Sequence, residues 1–289
     1  FRRWPAGGVC AIEIAGESVP IGDLLFDCGG VRIGFEICRD AWVADRTGAR
    51  LAQGGADILL NPSASHFAFA KQEIRERFVL EGSRAFCVSY AYANLLGNEA
   101  GRAIYDGGTL VASNGKMLVS GPRFSYADWV LTTALVDVTA TRRARSAFFA
   151  EPDDGPGIAD DDQIVATDFS LPLADGAATT CNVVIPGHPE WETGAHQKEE
   201  EFARAVPLAL FDYLRKSHAR GLCVSLSGGA DSSAVAVMVW LMAKFATGEL
   251  GIDTATNRLH IPSLTAPTSA PPLRGGAHGH FVSLLVRRL

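Results

Sequence analysis

The 289-residue sequence contains no C-x-x-C pair and no dense cysteine framework. Its six cysteines, Cys10, Cys28, Cys38, Cys87, Cys181 and Cys223, are scattered, which excludes a small disulfide-stapled scaffold and suits free thiols in a reducing cytoplasm. A basic surplus is lacking too. The 26 Lys and Arg residues are outnumbered by 32 Asp and Glu, giving a net charge of -6. Proteins that bind nucleic-acid backbones usually carry the opposite balance, so no nucleic-acid partner is expected. No apolar run is long enough for a bilayer: the longest, Ala234 to Ala243, is cut by Lys244, so no membrane partner is expected. What is present is core-forming material. Hydrophobic residues make up 47% of the chain, and the length suits one large domain or two ordinary ones. The chain starts at Phe1 without a methionine or signal peptide, which raises the expectation of a fragment.

Period-two and period-3.6 patterns alternate through the first 140 residues. Val31 to Ile37 and Ala56 to Leu60 read as strands, the second stopped by Asn61-Pro62. Ala70 to Ala85 reads as an amphipathic helix, Cys87 to Ala93 as a strand, and Val130 to Val138 as another. Asn114-Gly115, between Thr109–Ser113 and Lys116–Val119, is a hairpin signal. The segment Glu151 to Gln163 holds six acids and no base, so it reads as a solvated linker rather than a cation site. Beyond it, Phe202, Val206, Leu210 and Leu214 mark a helix from about His196 to Arg220, with Pro207 as a kink or restart. Leu222 to Leu226 reads as a buried strand, and Asp231 to Thr247 as a helix packed on both sides. Thr254 to Leu289, with four prolines and no acids, reads as a tail of different character.

Ser225-Leu226-Ser227-Gly228-Gly229-Ala230-Asp231-Ser232 joins that strand to that helix. Successive N–H groups at such a junction converge on anions, glycines allow close approach, and Asp231 can hold Mg²⁺ against phosphates. The loop lacks the Gly-Lys-Ser/Thr ending of a P-loop. On its residues alone, a capped helix start with Ser227 or Asp231 as N-cap explains it equally well. Cys38, in Gly34-Phe35-Glu36-Ile37-Cys38-Arg39-Asp40-Ala41-Trp42, sits where a strand gives way to a turn. A thiol there can be exposed and face the N–H groups of the turn. The other five cysteines read as small buried hydrophobes.

The loop resembles the S-G-G-x-D-S pyrophosphate loop of the N-type ATP pyrophosphatases. G-F-E-I-C-R-D-x-W resembles the nucleophile segment of the nitrilase superfamily. The cysteine segment followed by the glycine loop resembles the arrangement of the glutamine-dependent NAD synthetase family, over residues 1 to about 247. Lys198-Glu199-Glu200-Glu201 and Phe211-Asp212-Tyr213-Leu214-Arg215 are similar to that family's domain junction.

The resemblance implies an α/β chain. It would comprise a nitrilase-like α-β-β-α sandwich over 1–150, a junction over 151–195, a truncated Rossmann-like ATP-binding domain over 196–250, and an unmatched tail over 251–289. It implies Cys38 as nucleophile, Ser65 and Lys71 as glutamine-binding residues, and Ser225, Leu226, Ser227, Gly228, Gly229, Ala230, Asp231 and Ser232 as the ATP loop, with Asp231 on Mg²⁺. It further implies glutamine, deamido-NAD⁺ and ATP as substrates, a homo-oligomer, and a cytoplasmic enzyme. The family's triad glutamate and lysine match no position of this chain, so weak or absent activity is expected. Two alternatives stay open. One is a nitrilase-type amidase with an accessory domain, and the other a non-enzymatic nucleotide-binding remnant.

Overall fold

The computed structural model describes residues 4–99, 101–148, 163–169, 188–219 and 221–260. A hairpin of β1 (Val9–Ile14) and β2 (Glu17–Gly22) comes first, with most of its side chains exposed. Next come β3 (Leu25–Cys28), β4 (Val31–Phe35), α1 (Thr47–Gln53), β5 (Ile58–Ser63), α2 (Lys71–Ala85) and β6 (Ser89–Asn94). A small hairpin, β7 (Leu96–Glu99) and β8 (Ala103–Asp106), precedes β9 (Thr109–Ser113) and β10 (Lys116–Ser120). The helix α3 (Val138–Phe148) and the short strand β11 (Ile164–Ala166) complete this unit.

One seven-stranded sheet organises it, in the order β10-β9-β6-β5-β4-β3-β11. The pairs β4–β5, β5–β6 and β3–β11 are parallel, and the other three are antiparallel. Strand side chains alternate between faces. On one face Leu25, Leu59, Tyr90 and Leu110 meet Leu51 of α1 and Val79 of α2 in a buried core. The opposite face carries Phe26, Phe35, Leu60 and Val111, of which Phe35 is exposed.

The α/β class agrees with the sequence reading, and the departures are local. β5 runs through Asn61-Pro62 instead of stopping there. Its pairing with β4 ends at Leu60, so on that side the Pro62 nitrogen has no ladder bond to lose. Of the expected strand Val130–Val138, Val138 opens α3 and residues 130–137 pair with no strand among the described residues. The period of two survives, with Thr132 held by the Thr109 hydroxyl at 2.6 Å and Leu131 and Leu135 exposed. Only one large sheet therefore forms among the described residues.

The second unit is helical: α4 (Glu190–Thr193), α5 (Gln197–Ser217), α6 (Ala230–Leu250) and α7 (Ile252–Arg258). α5 continues through Pro207, whose ring is buried. The expected strand Leu222–Leu226 is a correction: this stretch is not a strand, because no described strand lies beside it to complete its hydrogen bonds. α6 is a second correction. Val239, Met242, Ala243 and Ala246 are buried, but no residue of 230–238 is, Val235 and Val237 included, so only its C-terminal part is packed and on one face. It extends beyond the apolar run both ways and is long and apolar enough, by length and composition alone, to cross a bilayer. α7 occupies the start of the expected tail. The acidic run up to Asp162, Cys181 and 261–289 lie outside the described residues.

The units share a core. Phe124 and Tyr126 pack with Leu208, Phe211 and Leu214 of α5 and Met242 of α6. Among the described cysteines only Cys87 is buried; Cys10 and Cys223 are exposed and Cys28 is half-buried, against the expectation of buried thiols. Cys10 lies on the outlying hairpin, and Cys223 lies between Leu222 and Val224, which take the core-facing places on the unpaired stretch.

Candidate active site

β4 ends at Phe35, and a 3₁₀ turn from Cys38 to Trp42 follows. Cys38 has φ +46, a left-handed conformation that costs a non-glycine residue about 1–2 kcal/mol. A position held against that cost is one that the surrounding contacts over-determine. The chief contact lies two residues earlier. The Glu36 carboxylate is fully buried and accepts four bonds: from Arg46 Nη2 at 2.6 Å and Nε at 3.2 Å, from the Gly48 N–H at 2.9 Å, and from the Tyr90 hydroxyl at 2.5 Å. Burial, then the Glu36 charge, pushes the Tyr90 phenol well above its ordinary range. Burial opposes the Arg46 charge, but the Glu36 carboxylate outweighs it and raises the pKa overall. The strand end that presents Cys38 is thus anchored by a satisfied ion pair.

Lys71 opens α2, and its ammonium donates to the His66 carbonyl at 2.8 Å. It lies 5.4 Å from the ring of Trp42, in the turn that begins with Cys38. Burial and then the Arg75 charge lower its pKa, while Asp106 and Cys38 act to raise it. Lys71 therefore lies within electrostatic reach of the thiol. Tyr105 does too: its pKa is raised chiefly by its 2.5 Å bond to Glu99, with a contribution from Cys38.

Ser65 is buried. Its N–H donates to Asn94 Oδ1 at 2.8 Å, and its carbonyl accepts from Arg75 Nη2 at 2.8 Å and Asn94 Nδ2 at 2.9 Å. The structure therefore connects the expected trio of Cys38, Ser65 and Lys71 through the Cys38 turn, the segment 65–71 and Arg75. Sequence reasoning missed Glu36, Arg75 and Asp106. Glu36 carried a usable signal, a charged residue inside an otherwise apolar strand pattern, whereas Arg75 is one charge among many in the run 71–77.

The glycine loop lies elsewhere, at the start of α6. Ser225, Leu226, Ser227, Gly228, Gly229, Ala230 and Asp231 are all exposed, and Ser232 is half-buried. Gly228 has φ +82 with open space around it, so glycine serves the backbone conformation there. The Ser232 and Ser233 hydroxyls bond to the Gly229 carbonyl, and Ser232 Oγ accepts from the Ser227 N–H at 3.3 Å. No side chain caps α6, which leaves first-turn N–H groups for an anion, with Asp231 beside them. These residues suit a polyphosphate and its divalent cation.

No protein-family profile matches the chain. The glutamine-dependent NAD(+) synthetase of Oryza sativa subsp. indica is 31% identical over 239 residues, covering 81% of this chain and 31% of that protein. The glutamine-dependent NAD(+) synthetase of Homo sapiens is 30% identical over 226 residues, covering 78% and 31%. A crystal structure of a glutamine-dependent NAD(+) synthetase from Cytophaga hutchinsonii is similar with a TM-score of 0.62 at 35% identity, covering 90% of this chain and 33% of that one. The chain thus spans about a third of the length of the relatives it matches.

Proposed function

Because the chain is related to the glutamine-dependent NAD(+) synthetases over most of its own length and about a third of theirs, we propose that it carries part of each active site of such an enzyme. The whole reaction is the ATP-driven amidation of deamido-NAD⁺ with ammonia released from glutamine. The supporting observation is that Cys38 opens, in a left-handed conformation, the turn whose Trp42 ring lies 5.4 Å from the Lys71 ammonium.

In this reading glutamine enters beside the Cys38 turn, with Lys71 and Ser65 holding its amino-acid end. The thiolate attacks the carboxamide carbon, and N–H groups of the turn meet the oxyanion. Collapse breaks the C–N bond, releases ammonia and leaves a thioester that water hydrolyses to glutamate. The leaving nitrogen takes its proton from a general acid, a role the resemblance gives to a glutamate that no position of this chain matches. The chain by itself is therefore expected to bind glutamine but turn it over weakly or not at all. At the second site the residues 225–232 would grip the ATP phosphates, and Asp231 would hold a Mg²⁺ that offsets their charge. The deamido-NAD⁺ carboxylate displaces pyrophosphate, and ammonia then displaces AMP to give NAD⁺. A cytoplasmic location and homo-oligomeric assembly belong to the same reading. Five free thiols among the described residues support the first, and the exposed Val235 and Val237 of α6 support the second.

The test is alkylation of Cys38 by iodoacetamide with and without glutamine, paired with titration of Mg-ATP. Glutamine at millimolar concentration should slow alkylation, and Asp231→Asn should weaken Mg-ATP binding by about tenfold. An unprotected thiol together with no Mg-ATP binding would defeat the reading.

A further inference from the structure

The stretch between β5 and α2 has no regular structure of its own, yet it carries Ser65 at one end and Lys71 at the other. It makes two bonds of its own, Lys71 N–H to the Ala68 carbonyl and Lys71 Nζ to the His66 carbonyl, and is otherwise held from outside, the Phe67 N–H donating to the Ile104 carbonyl at 2.6 Å. Arg75 Nη2 holds the Ser65 carbonyl, and Arg75 Nη1 grips both Asp106 oxygens at 2.9 and 2.7 Å. Asp106 Oδ2 also accepts from Arg123 Nη1 at 3.1 Å. Arg123 then donates to Glu201 of α5 at 2.8 Å and to Glu192 of α4 at 2.9 Å. At the other end, Glu201 Oε2 accepts from the Ala70 N–H at 3.4 Å. Ala70 has φ +58 immediately before Lys71, a strained conformation that needs holding.

The charge pattern makes this chain of contacts sensitive. Two guanidinium groups and three carboxylates alternate along it, and Arg75, Asp106, Arg123 and Glu201 are each no more than 1% exposed as side chains. Water cannot replace a missing member, so losing one charge leaves the next uncompensated. Phe124 and Trp191 lie 5.1 and 5.2 Å from the Arg123 guanidinium, limiting its freedom to re-pair.

We propose that Glu201 is a positioning residue for Ser65 and Lys71, so that docking of α5 sets the geometry of the segment 65–71 through Ala70 directly and through Arg123, Asp106 and Arg75. The glutamine arm of the test below rests on the proposed function, and the other arm does not. α5 is thereby part of the first unit's site as well as a helix of the second.

Glu201→Gln keeps shape and an acceptor while removing the charge. In the full chain, amide hydrogen exchange of residues 65–71 should quicken about tenfold relative to wild type, with β5, β6 and β9 unchanged. The glutamine concentration for half-protection of Cys38 should rise about tenfold, with the unprotected alkylation rate unchanged. Glu201→Asp should restore most of both, and it serves as the folded comparison if the glutamine variant is poorly stable. Unchanged exchange at 65–71, or acceleration spread evenly over the sheet, would overturn the proposal. If glutamine fails to protect wild-type Cys38, the functional reading falls, and the exchange arm still decides the role of Glu201.

Discussion

Tyr90 and Tyr92 lie two residues apart on β6, point to the same face and are both buried, but only one hydroxyl is satisfied. Tyr90 donates to Glu36 and accepts from Asn61 at 2.8 Å. The Tyr92 hydroxyl lies near Ser63 and Ser65 without completing a hydrogen bond, and burial pushes its pKa up to about 12. Removing a bonded partner of a buried charge costs about 1.5–3 kcal/mol, whereas removing an unbonded polar atom relieves a desolvation penalty. Tyr90→Phe should therefore destabilise the chain by about 2 kcal/mol in urea unfolding. Tyr92→Phe should be neutral or stabilising by up to about 1 kcal/mol; a loss as large as that of Tyr90→Phe would refute the assignment. At this scale Cys38, Ser65 and Lys71 were legible because short contiguous motifs carry them. Asp106, Arg123 and Glu201 were not, because their partners lie 17 and 78 residues apart and leave no local pattern.

Among the elements, the β9–β10 hairpin follows most directly from its residues. Asn114 and Gly115 both have positive φ, +49 and +76, as a two-residue turn matching strand twist requires. A Cβ at Gly115 would meet the Arg84 side chain at 3.1 Å, which can shift, so backbone conformation sets most of the cost of substitution. Gly115→Ala should cost about 1–2 kcal/mol and lower Tm by roughly 2–8 °C. Little change in thermal unfolding would place the turn in another conformation. α2 and β6 were readable as elements from local pattern, though the buried face of α2 is Gln72, Arg75, Val79 and Gly82, with Ile74 exposed. Val130–Val138 and Leu222–Leu226 misled for one shared reason. Apolar spacing reports that a segment could be a strand, whereas a strand also needs a neighbour to take its hydrogen bonds.

At the scale of the molecule, two units of different pattern are joined by a packed core and by ion pairs as well as by the chain. Besides the Arg123 cluster, Asp212 of α5 accepts the Asn98 N–H of β7 at 2.7 Å and pairs with Arg215 at 2.5 Å and Lys216 at 2.8 Å. A sequence reading placed Asp212 in a junction motif, but nothing local indicated that it reaches β7. Burial acts to raise its pKa, but Lys216, Arg215 and the Asn98 N–H outweigh burial, and the pKa lies below the usual carboxylate value. A carboxyl with a lower pKa folded than unfolded binds fewer protons when folded. Its stabilising contribution is complete above the unfolded value near pH 4 and fades as pH falls through the lowered folded value. Asp57 follows the same rule where it anchors Arg142 and Arg145 of α3 against the sheet, its pKa lowered by those arginines against the effect of burial. Acid should thus loosen α3 and the α5–β7 contact together, below about pH 4. Asp212→Asn should cost about 1.5–3 kcal/mol at pH 7, the range for a hydrogen bond to a charged group. Half-exposed Arg215 and Lys216 add little to that. The variant's stability should also fall less steeply than wild type between about pH 4 and pH 2. Parallel curves for the two proteins across that window would show that Asp212 does not bind α5 to β7 through its charge.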